Sequence, residues 1–191
     1  MGGVFPVLKT DDFILRELSK DDIDAISSIW GSPKVTEKLS SGPLSHEESV
    51  EMLYVLHSLW DNDAGIRWGV EREGRLIGTC GFHNINKGLR RGELGYELDY
   101  EFWGRGYMRR ALVPVLDYGF NIMRFERIEA FINVDNDRST GLLTKLGFKK
   151  EGIMRDYART PTGLIDQSCF SLLKREWKKR SEEHTSELQS R

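Results

Sequence analysis

The chain contains little cysteine, little proline and no long apolar run. Its 191 residues include two cysteines and five prolines. Cys80 and Cys169 cannot form a disulfide framework, and both lie in apolar stretches that are typical of strands. We therefore expect two buried, reduced thiols in a cytoplasmic protein. No run of about 18 apolar residues occurs, so no membrane-spanning helix is expected, and the N-terminus lacks the basic and apolar segments of a secretory signal.

The chain also lacks an excess of charge of either sign. It has 28 Lys and Arg against 30 Asp and Glu, a net charge of -2. Such a balance argues against a nucleic-acid partner held by a broad basic surface. Residues 181–191 have no apolar periodicity and are typical of a translated cloning adapter, although a native disordered tail fits as well. We predict one domain over residues 1–180, with 27 bases and 27 acids before that tail.

The hydrophobic pattern predicts an α+β domain with one central sheet. Helical spacing indicates a helix after Ser19, and a second helix after Ser45, where Glu48 completes a capping box. Further helices are predicted over residues 107–123, with a kink at Pro114, and up to Leu146. Strands are predicted over residues 13–18, 66–70, 76–82, 91–99, 127–132, 148–155 and 165–173.

A glycine-rich turn at residues 103–108 is the strongest local signal. It lies between a predicted strand and a long helix, so its backbone N–H groups meet a helix N-terminus and can bind an anion such as pyrophosphate. A tight turn beside solvated Arg109 and Arg110 is the alternative. The dinucleotide fingerprint is excluded because its third glycine position holds Arg109, and no Gly-Lys-Ser/Thr follows as a P-loop requires.

Residues 95–108 resemble motif A of the GNAT superfamily of N-acetyltransferases, in the branch that contains the RimJ and RimL ribosomal-protein enzymes. Residues 136–139 are similar to the N-x-x-S of that branch, and residues 146–152 to its L-G-F-x-x-E-G. Asp166 resembles its late aspartate. The ordered set covers residues 13–177. The chain departs from the usual phosphate loop at two positions, which hold Trp103 and Met108.

The resemblance implies the GNAT fold, a mostly antiparallel twisted sheet that is splayed at the cofactor site and flanked by helices. It implies acetyl transfer from acetyl-CoA to a primary amine, without a metal. The backbone of the turn would bind the pyrophosphate, and the strand before it would pair with the pantetheine arm. The implied cofactor-binding residues are Leu98, Tyr100, Trp103, Gly104, Arg105, Gly106, Tyr107, Met108, Arg109, Asn136 and Ser139.

Catalytic roles follow from the same resemblance. The Leu98 N–H would stabilise the oxyanion, and Ser139 would donate a proton to the leaving sulfur, although a first-turn helix residue is the alternative. Asn136 would hold the pantetheine or simply form a turn. The branch places a basic glutamate where this chain has Ala158, so the general base is open. Glu97 is the first candidate for the base; Glu93 is second, and Asp156, Asp166 and His83 are weaker.

The sequence predicts where the acceptor site lies but leaves the chemical class of the acceptor open. The helices between the first two strands and the loop at residues 159–163 are expected to form its site. A protein N-terminal amine, a small amine such as an antibiotic or amino sugar, and a non-catalytic acyl-CoA-binding module all stay open. No acidic run supports a polyamine, and a monomer and a homodimer are equally compatible with the sequence. Aromatic candidates for the acceptor site are Trp30, Tyr54, Trp60, Trp68 and Phe82.

Overall fold

The structure, a computed structural model, describes residues 3–39 and 42–178. The predicted tail at residues 181–191 lies outside this part of the chain. The strands are β1 (Leu8–Lys9), β2 (Ile14–Glu17), β3 (Ile66–Arg72), β4 (Arg75–Asn86), β5 (Arg91–Leu98), β6 (Arg127–Asn133), β7 (Lys149–Thr160) and β8 (Gly163–Leu173). The helices are α1 (Ile23–Trp30), α2 (Pro33–Thr36), α3 (His46–Asp61), α4 (Tyr107–Asn121) and α5 (Asp137–Leu146), and residues 174–178 are also helical.

The eight strands form one sheet in the order β1-β2-β3-β4-β5-β6-β8-β7. Every neighbouring pair is antiparallel except β5 and β6, which run parallel. Those two strands pair only from Arg91 to Glu93 on β5. Beyond Glu93 they separate, so the second half of β5 presents a free backbone edge. The predicted fold is therefore confirmed: a mixed α/β domain with a mostly antiparallel sheet that is splayed.

Helices cover both faces of the sheet. On one face the buried stripe of α4, which includes Leu112, Leu116 and Phe120, packs with Trp68 and Phe82 of the strands. On the other face α1 and α3 pack through a smaller cluster that contains Trp30 and Leu53. Burial of these side chains is the main stabilising contribution to the fold. The sheet is thus a layer between two helical layers, and the splay opens at its centre.

Local signals explain most of the elements. The Ser45 capping box is present, because Ser45 Oγ accepts from the Glu48 N–H at 3.1 Å and the Ser45 N–H donates to Glu48 Oε2 at 2.7 Å. α4 continues through Pro114 to Asn121. The short elements β1 and α2 were not predicted, since two and four residues carry no periodicity. β7 is longer than predicted because bulges, with Asp156 at φ 51°, break its alternation.

Both cysteines are buried, and neither is in a disulfide. Burial raises the pKa of the Cys80 thiol to about 12. Among the described residues, no helix combines the length and the apolar character that crossing a bilayer requires.

Glu151 of the predicted L-G-F-x-x-E-G segment joins three strands. Its carboxylate accepts from two N–H groups of Arg127 on β6, one at 2.8 Å, and from Ser171 Oγ on β8 at 2.6 Å. The Arg127 guanidinium, with help from Ser171, lowers the Glu151 pKa to about 2. This glutamate therefore connects the β6, β8 and β7 edge of the sheet.

The lowered pKa gives a pH-dependent contribution to stability. A carboxylate with a depressed folded-state pKa stabilises the protein above its unfolded-state value, and this contribution is lost as the pH falls toward the folded-state value. We expect the urea midpoint of Glu151→Gln to converge on that of the unmodified protein between about pH 5 and pH 2. The exposed Glu51→Gln on α3 is the control. A stability difference for Glu151→Gln that does not change with pH would contradict this role.

Candidate functional site

The glycine turn forms the N-terminus of α4. Gly104 has φ 76° and Gly106 has φ 70°, a left-handed conformation that glycine adopts without strain. A Cβ at either position would meet no atom within 4 Å, so the space in front of the turn is open. No side chain caps the helix at Gly106. The first N–H groups of a helix have no intrahelical partner, so the turn presents donors to an anion.

A cleft of about 770 Å³ lies between this turn, the free edge of β5 and the start of α5. Its described lining includes two acids, Glu97 and Asp137, and a larger number of basic side chains. Such an excess of local positive charge favours a polyanionic ligand. The basic residues of the lining are Lys34, Lys38, Arg105, Arg109, Arg138 and Lys145.

The backbone of Leu98 faces the opening of the sheet. The Asp99 N–H donates to Ile77 O of β4 at 2.8 Å. Because successive amides of a strand point to opposite edges, the N–H and C=O of Leu98 point away from β4, toward the splay. Trp103 Nε1 donates to Leu98 O at 2.8 Å, and the Arg138 guanidinium lies 3.6 Å from the Trp103 ring centroid. Trp103 thus fixes the turn against β5 by its side chain.

Asn136 and Ser139 line the cleft at the start of α5, and Tyr96 lines it on β5. Asn136 is the N-cap of α5, where its Oδ1 accepts from the Ser139 N–H at 3.1 Å. Burial raises the pKa of Tyr96 to about 12, against a smaller lowering by the nearby Ser139 hydroxyl. Although the two side chains are close, the buried Tyr96 hydroxyl completes no hydrogen bond within the described residues. Tyr96 was not predicted as a site residue, because strand alternation indicates only an apolar face at that position.

Glu97 lies on the other face of β5 and is held by two neighbours. Its Oε2 accepts from Thr79 Oγ1 at 2.7 Å and from the guanidinium of Arg67, with which it forms an ion pair. Arg67 also donates from Nε to Thr79 Oγ1 at 2.9 Å. Within residues 3–39 and 42–178, Glu97 Oε1 accepts no hydrogen bond. The carboxylate is therefore oriented through one oxygen, while the other stays available.

A second polar pair, His83 and Glu93, lies along the same face. His83 Nε2 is 3.0 Å from Glu93 Oε1, and Asn84 Nδ2 donates to Glu93 Oε2 at 2.9 Å. Burial acts to raise the Glu93 pKa, but the bonds from His83 and Asn84 outweigh it and lower that pKa. A Cβ on Gly95 would come within 3.1 Å of the His83 ring and 2.7 Å of the Arg67 guanidinium. Glycine at position 95 therefore makes room for both.

A second cavity, which we call the apolar chamber, lies between this face of the sheet and the helices α1, α2 and α3. It has a volume of about 470 Å³. Glu97 and Leu39 line both the chamber and the cleft, so the two cavities meet at these residues. Apolar residues of the chamber wall include Trp30, Leu44, Met52, Val55, Leu56, Leu59 and Ile85.

The structure brings most of the predicted cofactor-binding residues to the cleft. Tyr100 is the exception. It lies on a 3₁₀ turn, is 41% exposed and does not line the cleft. The Lys34 Nζ lies 4.3 Å from the centroid of its ring. Arg110, which follows the turn, does not line the cleft and forms an ion pair with Asp12, with 2.7 Å between Arg110 Nη1 and Asp12 Oδ2. The predicted residues that do line the cleft are Glu97, Leu98, Trp103, Gly104, Arg105, Gly106, Tyr107, Met108, Arg109, Asn136 and Ser139.

The predicted acceptor aromatics divide into two groups. Trp30 and Phe82 line the apolar chamber. The other three, Trp68, Trp60 and Tyr54, do not line the chamber. Trp68 is fully buried and donates from Nε1 to Pro6 O, and Trp60 packs on Phe5. Tyr54 is 56% exposed.

Two further predictions concern the β7–β8 hairpin and a metal. Thr160, Pro161 and Thr162 of the predicted acceptor loop line a third groove, which shares Thr36 and Leu39 with the apolar chamber. Asp166 Oδ1 accepts from the Asp156 N–H at 2.9 Å, a structural contact. No three His, Cys, Asp or Glu side chains of the described residues come together as a metal-binding group would require.

Comparisons with known proteins agree on one family. Residues 12–149 match the family model described as "Acetyltransferase (GNAT) domain". The chain is 36% identical over 174 residues to the uncharacterized N-acetyltransferase YoaA of Bacillus subtilis, with 90% of this chain and 98% of that protein covered.

Solved structures show the same architecture. The ribosomal-protein-S5-alanine acetyltransferase of Vibrio fischeri superposes with a TM-score of 0.76 at 25% identity, covering 90% of this chain and 98% of that one. The spermidine N-acetyltransferase of Vibrio cholerae, solved with CoA and spermine, has a TM-score of 0.77 at 23% identity, covering 88% and 99%. At that identity the second likeness concerns the fold alone.

Proposed function

Because this chain belongs to the GNAT acetyltransferase family, we propose that it catalyses transfer of the acetyl group of acetyl-CoA to a primary amine by direct attack on the thioester. One observation carries the proposal: a basic cleft and an apolar chamber meet at a single carboxylate, Glu97. The cleft suits the anionic donor and the chamber suits the acceptor. Their junction is where an amine and a thioester can approach each other.

The turn and the cleft fit acetyl-CoA. The open space at Gly104 and Gly106 lets a pyrophosphate reach the N–H groups at the start of α4. Arg105, Arg109 and Lys145 add positive charge. The free edge of β5 offers backbone donors and acceptors to the two amides of a pantetheine arm. Acetyl-CoA, when bound, supplies an activated acyl group as a thioester.

The residues at the junction supply the proton transfers and charge stabilisation. The Leu98 N–H, which points into the splay, donates to the oxyanion that forms during attack. Ser139 donates to the leaving sulfur, and its backbone is fixed by the Asn136 cap. The buried Tyr96 hydroxyl lies near Ser139 and completes no hydrogen bond of its own within the described residues, so it is available to donate to the Ser139 hydroxyl when that hydroxyl donates to the sulfur.

The amine must lose a proton before it attacks. Glu97 Oε1 is free of other hydrogen bonds in the described structure, so it can accept from the ammonium and take its proton directly or through a water. The ion pair with Arg67 holds this carboxylate in place. His83, oriented by Glu93 and lining the chamber, is the second candidate for the base.

A thiol-release assay tests this function. The full chain is incubated with acetyl-CoA and a panel of N-terminal peptides and small amines, each with an acceptor-free control, and acetyl-CoA binding is measured by calorimetry. We expect binding, and release of CoA only when a suitable amine is present. Binding without acceptor-dependent release across the panel would favour a non-catalytic acyl-CoA module. Absence of binding would contradict the role of the glycine turn.

A further inference from the structure

The relatives named above differ in their acceptors, one acting on a ribosomal-protein alanine and another solved with spermine. From the walls of the apolar chamber we infer a third acceptor class for this chain. We propose that its acceptor is a small primary amine with one positive charge and a compact apolar body, which the chamber binds in preference to a polyamine or an extended peptide. This inference rests on the proposed acetyl transfer.

The chamber wall on α3 is apolar. Met52, Val55, Leu56 and Leu59 recur at helical spacing and line the cavity. Met52 and Leu56 also pack against the core cluster that contains Leu53, which is 3% exposed, whereas Val55 and Leu59 are outside that cluster. Val55 is 50% exposed, so the structure leaves part of this apolar stripe uncovered. An apolar ligand body would remove that surface from water, which is favourable.

The chamber carries little negative charge to pair with a cationic ligand. Among the described residues that line the chamber, Glu97 is the one acid, and Arg67 already neutralises it through Oε2. Glu97 Oε1 can therefore accept from one ammonium group. A second ammonium inside the chamber would meet no other carboxylate of the described lining. Burying an unpaired charge among apolar side chains is costly, so a diamine is a poor ligand.

The chamber offers few hydrogen-bond partners to the backbone of a peptide. An extended peptide would bring several amide N–H and C=O groups into the chamber. Two of the few polar side chains there already donate elsewhere, since Thr36 Oγ1 donates to Ser32 O at 3.0 Å and Asn84 donates to Glu93. Buried amides without partners destabilise a complex. A compact amine carries no such groups.

A matched pair of acceptors tests the charge argument. Pentylamine and 1,5-diaminopentane have the same carbon chain and differ by one ammonium. With saturating acetyl-CoA we expect kcat/KM for pentylamine and 2-phenylethylamine to exceed that for 1,5-diaminopentane and for an alanine-initiated tetrapeptide by about 100-fold. Pentylamine alone should also raise the melting temperature of the protein, whereas the diamine should not.

A carboxylate placed in the chamber should reverse the preference. We expect Val55→Glu to raise kcat/KM for 1,5-diaminopentane relative to pentylamine by at least about tenfold. Val113→Glu is the matched control, because Val113 is a 40% exposed valine on α4 that lines neither cavity. It should leave both values unchanged.

The outcomes separate this inference from the proposed function. Acetyl-CoA binding together with a preference for the diamine or the peptide would overturn the inference and leave acetyl transfer intact. If the ratio of kcat/KM for 1,5-diaminopentane to that for pentylamine is the same in Val55→Glu and Val113→Glu, the chamber does not bind the acceptor and the inference is also overturned. Absence of acetyl-CoA binding would instead overturn the proposed function.

Discussion

Glu97→Gln is expected to lower kcat by about 100-fold, while the affinity for acetyl-CoA stays near that of the unmodified protein. The amide keeps an oxygen that can accept from Thr79 and Arg67, so the local structure should persist. It cannot accept the proton of the ammonium, and loss of a general base costs about 100-fold or more. Steady-state kinetics and acetyl-CoA calorimetry measure the two effects separately.

Glu71→Gln is the matched control for this variant. Glu71 also pairs with an arginine, Arg16, at 2.6 Å, and its side chain is as buried as that of Glu97. It lies on β3 away from the cleft and the chamber. Its substitution should therefore leave kcat unchanged. Undiminished turnover in Glu97→Gln would remove Glu97 as the base and turn attention to His83 and Glu93.

Gly104→Val is expected to weaken acetyl-CoA binding by about 100-fold. The substitution strains a residue at φ 76° and puts a branched side chain into the open space in front of the turn. Two charge-assisted hydrogen bonds to the pyrophosphate would be lost, at about 1.5 kcal/mol or more each, which corresponds to about 100-fold in affinity. Calorimetry with acetyl-CoA measures this loss.

Gly74→Val separates the loss of binding from backbone strain. Gly74 also has φ 76° and no atom within 4 Å of an added Cβ, but it lies in the turn between β3 and β4. Both variants should lose similar stability, about 1–2 kcal/mol or more in the left-handed conformation. Only Gly104→Val should lose affinity. Equal acetyl-CoA affinities in the two variants would contradict the phosphate-binding role of the turn.

The sequence was most informative where function depends on backbone and local pattern. The Gly104 and Gly106 turn, the Ser45 cap and the order of long strands are encoded within a few neighbouring residues, and the structure confirms them as structural features. Glu97 could be assigned to a strand face by alternation alone.

Contacts between distant elements could not be predicted in the same way. Arg67 and Glu97 are 30 positions apart, and the Arg67 guanidinium reaches Glu97 past Gly95, where a Cβ would come within 2.7 Å of it. Tyr96 reaches Ser139 across the splay, whose angle no local pattern specifies. The tip of the β7–β8 hairpin was predicted to join the acceptor site; strand pairing continues to Thr160 and Gly163, and the tip lines a third groove that shares Thr36 and Leu39 with the chamber.

The two apolar stripes of α3 have a consequence for how such an enzyme can evolve. Leu53 holds the helix on the sheet, while Val55 and Leu59 contact the chamber and bear little of the core. Substitutions at partly exposed positions usually change stability by only about 0.5 kcal/mol. Under the proposed function, a descendant of this chain can therefore exchange one amine for another by point changes at Val55 and Leu59, without first acquiring a more stable fold.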